Sequence, residues 1–250
     1  MDLGEGVQRQ AWRGHRSAHR LAHLLAQPIL DGTTKPGEKL PNEKGLMLHY
    51  GAGRPTVREA LLLLESRGLV SMKSGPGGGA VVAKPDNESL ADSLTFLLEA
   101  EGARVQDVAE VRCVLEPVIA NFAARRITEE QLDQLTETVA QMRRRPHSPS
   151  RALEQNSLFH KLVAATAHNP VLDIILKSLA LVPERTGTSV RCTPEEAEMA
   201  ASAHEGVIAA LRTRDPAHAE QVMRRHVIAA VRYCEREYPM LMSRAVEWIF

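Results

Sequence analysis

Three histidines carry the densest chemical signal in this 250-residue chain. His160 shares a helical stripe with Asn156, Val163, Ala164 and Ala167, and His204 sits at helical spacing above Val207, Ile208 and Leu211. His226 lies on a third stripe with Ala219, Val222, Val227 and Ala230. Imidazole nitrogens converging from three helices suit a divalent metal such as zinc, and Asn156, one turn before His160, can add an amide oxygen. A single histidine on an apolar face is more simply a hydrogen-bonded core residue; three on inward stripes favour a shared centre. Arg112 follows the same logic. Its stripe holds Val105, Val108, Leu115 and Ile119, so its guanidinium points inward and requires an anion. Either Glu116, one turn on, or the carboxylate of a bound small molecule can supply that anion. A third constellation is Arg54 and Arg58, one turn apart at the start of a short helix. Two guanidiniums so spaced can reach one stretch of DNA groove, bidentate to a guanine edge or on phosphates.

Two blocks of elements must position these residues. In the first, a helix over 17–31 carries Leu21, Leu24, Leu25 and Ile29 and stops at Gly32. Pro36-Gly37 turns the chain, and Asn42 caps a short helix over 43–49. Arg54 then opens a helix over 54–66 with the core stripe Val57, Ala60, Leu61 and Leu64; the leucine run at 61–64 requires one or two of its members to pack elsewhere. After Gly68, strands over 69–72 and 80–82 flank Ser-Gly-Pro-Gly-Gly-Gly. Helix, helix, helix and glycine-rich hairpin in that order is the pattern of a winged helix-turn-helix. The second block is all helix: 88–101, 105–125, 128–145, 152–167, 171–181, 194–212 and 216–238, separated by Gly102, Pro146 through Pro149, Asn169-Pro170 and Asp215-Pro216. The fold class is therefore mainly α, a winged helix-turn-helix over 17–84 followed by an antiparallel bundle of six to seven helices over 85–250. Residues 1–16 read as a disordered lead-in without the apolar core of a secretory signal, and Lys84-Pro85-Asp86 as the linker.

Composition agrees with that division. Net charge is zero overall, but through Pro85 there are 12 Lys/Arg against 7 Asp/Glu, and thereafter 19 against 24. A basic first third suits a nucleic-acid partner. Three dispersed cysteines, Cys113, Cys192 and Cys234, speak for a reducing cytoplasm and against a disulfide framework or a cysteine zinc site. No apolar run is long enough to span a membrane, and there is no Gly-rich phosphate loop, GxSxG or HExxH.

Lys35-Pro-Gly-Glu-Lys-Leu-Pro, Arg54-Pro-Thr-Val-Arg-Glu-Ala-Leu, Leu64-Glu-x-x-Gly-Leu-Val and the glycine-rich wing together resemble the GntR family of bacterial transcription regulators. The resemblance implies that Lys44, Arg54, Thr56 and Arg58 contact DNA, with Gly75 at the wing tip; Gly53 stands where the family usually places Ser or Thr. Arg112-x-x-x-Glu116, Phe159-His160, Asn169-Pro170, His204-Glu205 and Asp215-Pro-Ala-x-Ala before His226 are similar to the FCD-type effector domain of the FadR subfamily. That implies a metal held by Asn156, His160, His204 and His226, with Asn156 in the place of the usual Asp and a weaker ligand for it. It also implies a small carboxylate or acyl effector on Arg112, and a homodimer on a pseudo-palindromic operator, most simply a repressor. Two other readings stand beside this one. A metal-dependent enzyme would need a general base beside the histidines, yet Glu205 follows His204 directly and points off the stripe, so no enzymatic activity is expected. In a ligand-blind architectural DNA binder, the bundle would serve dimerisation alone. The apolar Trp248-Ile249-Phe250 end requires cover of some kind.

Overall fold

The computed structural model describes residues 15–75, 78–83, 87–144, 149–185 and 192–248, which form eleven helices and one two-stranded sheet. The lead-in at 1–14, the linker at 84–86 and the loop at 145–148 lie outside the described residues. The chain divides into two compact units after Ser89.

The first unit is α1 (His15–Leu30), α2 (Glu43–Tyr50), α3 (Arg54–Glu65), β1 (Val70–Lys73) and β2 (Gly79–Val82). Helix α1 buries Leu21, Leu25 and Ile29 in one core with Leu46 of α2 and Val57, Ala60, Leu61 and Leu64 of α3. The leucine run divides as a 100° step per residue requires: Leu61 and Leu64 are buried while Leu62 is 61% exposed. Asn42 caps α2, its Oδ1 accepting from Gly45 N at 2.9 Å, and Gly51 ends that helix at φ 64°. Strands β1 and β2 pair antiparallel from Val70↔Val82 to Lys73↔Gly79. The segment before α2, expected to be only turn and loop, also joins this sheet: Leu40 N donates to Ala80 O, and Val82 N to Glu38 O. At the hairpin end Gly78 is obligatory, since an added Cβ would lie 2.1 Å from Lys73 O.

The second unit holds α4 (Glu88–Ala100), α5 (Val105–Arg126), α6 (Glu129–Arg144), α7 (Pro149–Thr166), α8 (Pro170–Arg185), α9 (Pro194–Arg212), α10 (Pro216–Glu237) and the short α11 (Pro239–Met242). Ile119, Leu132, Leu135, Phe159, Leu176, Leu211 and Met223 are the large side chains of its main core. Caps start the last two long helices: Thr193 and Glu196 form a reciprocal box at α9, and Asp215 accepts from Ala217 N and His218 N at α10. Three expectations are corrected. Helix α8 does not stop at 181 but runs through Pro183, held by buried Leu179 and Val182. Ala230 is exposed, so Met223 with Ala219 and Val227 carries the inward stripe of α10. A short second helix, α11, follows Tyr238 where none was expected. The tail folds back: Val246 is buried with its N donating to Ala103 O, and Trp248 meets the Phe96 ring edge-on at 5.5 Å. Among the described residues no helix is long and apolar enough to cross a membrane, and the thiols of Cys113, Cys192 and Cys234 are free.

Candidate nucleic-acid interface and metal centre

Helix α3 owes its orientation to its apolar side. Val57, Ala60 and Leu64 are locked in the core, which turns Arg54 and Arg58 outward on one face, with Thr56 half-buried beside them. Lys44 is exposed on α2, and Gly75 is exposed in the hairpin loop at φ 98°, a backbone conformation that favours glycine. Pro55 lies in the first turn of α3, and Gly53 caps it without a side-chain hydrogen bond. Both arginines meet one acid of the neighbouring helix: Arg54 Nε donates to Glu43 Oε2 at 2.9 Å, and Arg58 Nε lies 3.9 Å from Glu43 Oε1. The result is a basic, solvent-facing surface beside a glycine-rich hairpin.

In the second unit the three histidines do converge. His160 comes from α7, His204 from α9 and His226 from α10, and a nitrogen of each lies within 4.8 Å of the others. His160 Nε2 and His226 Nε2 are 3.5 Å apart. His204 is fully buried, its ring stacked on Phe159 at 3.7 Å, and neither of its nitrogens has a hydrogen-bond partner among the described residues. Buried polar atoms left unpaired are rare and costly, so an orphaned imidazole facing two others suits a metal ligand. Burial first, then the neighbouring His160 and His226, holds the His204 ring well below the usual histidine range. The same desolvation, with His160, brings His226 down to about 3. Both rings are therefore neutral at physiological pH and keep the lone pairs a metal needs.

Behind His160 stands Glu116, only 2% exposed. One of its oxygens accepts from Arg112 Nε at 2.7 Å and the other faces His160 Nδ1. Burial alone would raise this carboxyl, but the Arg112 guanidinium and His160 outweigh it and bring it down to about 2. A carboxylate on Nδ1 leaves Nε2 of His160 turned toward the other histidines, the usual arrangement behind a metal-binding imidazole. Asn156 is half-buried one turn before His160, and its side chain makes no hydrogen bond among the described residues.

Known proteins match both units. The profile of bacterial regulatory proteins of the gntR family covers residues 17–82, and that of the FCD domain covers 107–229. The chain belongs to the GntR family. It is similar to the HTH-type transcriptional repressor NanR of Cronobacter sakazakii, 26% identical over 232 residues, 90% of this chain and 88% of that protein. The NanR of Salmonella schwarzengrund is 27% identical over 239 residues, again 90% of this chain and 87% of that protein. Among solved structures, Streptococcus agalactiae GntR superposes with a TM-score of 0.64 at 27% identity, covering 86% of this chain and 99% of that one. This GntR-family chain is accordingly a DNA-binding transcription regulator and not an enzyme.

Measured against the sequence reading, the GntR fold brings His160, His204 and His226 together and sets Arg54 and Arg58 on one exposed face. Of the two anions open to Arg112, the fold supplies Glu116. Glu205 points away from the histidines, as expected, and pairs with Arg143. Three residues escaped the sequence reading in these roles. Glu116 appears there only as a partner for Arg112, Phe159 only as part of a motif, and Glu43 not at all. The i, i+4 spacing of Arg112 and Glu116 was visible, but nothing in the sequence aims the carboxylate at a residue on another helix.

Proposed function

We propose that this regulator is a cytoplasmic repressor that binds a pseudo-palindromic operator as a homodimer and responds to a small organic acid or acyl compound taken up by its helical unit. A divalent metal of zinc type, held by His160, His204 and His226 with Asn156 beside them, would form part of that effector site. The metal would supply a Lewis-acidic contact for an anionic ligand, and Arg112, whose terminal nitrogens are not committed to Glu116, would offer a second. The observation that carries the reading is His204, with two buried nitrogens and no hydrogen-bond partner for either among the described residues. The repressor polarity is supported by the named function of the NanR relatives. Coupling between effector and operator is reciprocal, so duplex DNA should change effector affinity by the same factor that effector changes DNA affinity.

Native mass spectrometry of the untagged protein, purified without chelator, tests the proposal. The expected species is a dimer carrying one metal per chain that is lost on His204→Ala. A metal-free dimer that stays metal-free after addition of zinc would sink the metal assignment. A monomer at micromolar concentration would sink the dimeric mode of operator binding.

A further inference from the structure

Arg54 and Arg58 reach out of α3 from positions one turn apart, yet both turn their Nε toward the same carboxylate. Glu43, in the first turn of α2, sets Oε2 2.9 Å from Arg54 Nε and Oε1 3.9 Å from Arg58 Nε. Its side chain is 30% exposed, against 67% and 64% for the two arginines. An acid in the first turn of a helix is favoured by the helix dipole, and an exposed ion pair adds little, so stability alone gives Glu43 a modest role. Two features of the geometry go further. The carboxylate bridges two side chains of a second helix, one to each oxygen. It also engages them through Nε, leaving the terminal Nη1–Nη2 edge of each guanidinium uncommitted to Glu43.

We propose that Glu43 positions the reading arginines and sets the specificity of this surface. With Arg54 Nε hydrogen-bonded to Glu43 and Arg58 Nε drawn toward the same carboxylate, each arginine approaches a guanine O6/N7 edge end-on through its Nη pair, in a direction biased by α2. The bridge also lowers the local charge. A phosphate oxygen arriving at either guanidinium meets the like charge of the carboxylate within a few ångströms, whereas a neutral guanine edge does not. Glu43 therefore weakens sequence-independent binding more than base-specific binding.

This inference rests on α3 being the groove-facing helix, and the experiment separates the two. Full-length protein is titrated by fluorescence anisotropy, over a salt series, against two probes. One is a duplex pool enriched on the wild-type protein from a random-sequence library, and the other is the unenriched pool. Glu43→Gln is expected to bind the unenriched pool more tightly, with a log–log salt slope steeper by about 0.9 for each phosphate newly held. Its preference for the enriched pool should fall about tenfold, the scale of one misdirected bidentate contact. Glu43→Asp keeps the charge but is too short to span both arginines, so it should weaken enriched-pool binding and leave the unenriched pool unchanged. An Asp variant indistinguishable from wild type, or a Gln variant with unaltered preference and slope, overturns the role of Glu43. Arg58→Ala run alongside should lose at least about tenfold on the enriched pool. If it binds as tightly as wild type, α3 itself has been misassigned.

Discussion

In the winged-helix unit the polar side chains proposed to meet DNA are exposed and already paired: Arg54 and Arg58 share Glu43 at the surface. In the helical unit the side chains proposed to hold a metal lie largely inside the bundle, and neither nitrogen of His204 has a hydrogen-bond partner among the described residues. The difference follows from the size of the partner. A DNA duplex comes to the protein from outside, so its contacts must stand in solvent, where the Coulomb term is screened and rearranging an ion pair costs little. A small ligand or metal is enclosed. Its contacts are built into a low-dielectric interior, where an unmet hydrogen-bonding group costs about 1–3 kcal/mol until the ligand arrives. Glu43 and Glu116 make the contrast concrete. Each bridges two cationic or basic groups, but Glu43 does so in water and should govern specificity, while Glu116 is 2% exposed and should govern stability.

That contrast can be broken at three points. The largest effect is expected from Glu116→Leu in the metal-free protein, which strands His160 and Arg112 without their carboxylate. Removal of one member of a buried pair costs about 3–5 kcal/mol, and the partial exposure of Arg112 places this one near the lower end. Urea denaturation should read a loss of about 3 kcal/mol, and a loss no greater than that of Glu43→Gln would erase the distinction between the two acids. His204→Leu should act in the opposite direction. Replacing an orphaned buried imidazole by an apolar side chain is expected to stabilise the metal-free protein by about 1 kcal/mol while abolishing any zinc-induced rise in melting temperature. Destabilisation accompanied by an intact zinc response would mean that His204 is an ordinary core histidine. The smallest effect belongs to Gly53→Ser. Gly53 has φ −69° and an added Cβ would meet only Pro55 Cδ at 3.8 Å, so a serine fits and can cap α3. A gain of a few tenths of a kcal/mol in thermal stability is expected, and a loss would show that the glycine has a role beyond capping.

Legibility in the sequence followed the range of the forces involved. Helix starts were legible to the residue where a cap turned out to stand: α2 after Asn42, read as its cap, and the starts at 194 and 216, where the structure shows Thr193 with Glu196 and Asp215 as the capping side chains. Each depends on a side chain bonding to backbone two or three positions away, which no distant packing can alter. Helix α8 shows the limit. Pro183 carries the local mark of a stop, but burial of Leu179 and Val182 outweighs one missing backbone hydrogen bond, so the helix passes through. The third edge of the wing sheet, made by 37–40, was equally invisible because its partner strand lies some forty residues downstream.

The sequence by itself determined the two-unit plan, the helix α3 with Arg54 and Arg58 on its outer face, and three inward histidines on three separate helices. All of these follow from periodicities of a few residues and from turn chemistry. The tertiary structure alone decided that the histidine nitrogens meet within 4.8 Å, that Glu116 backs His160, and that Glu43 bridges both arginines. Each of those contacts joins side chains on different helices. Their meeting depends on how whole helices pack against one another, and helical periodicity within one segment carries no information about the register of its neighbour.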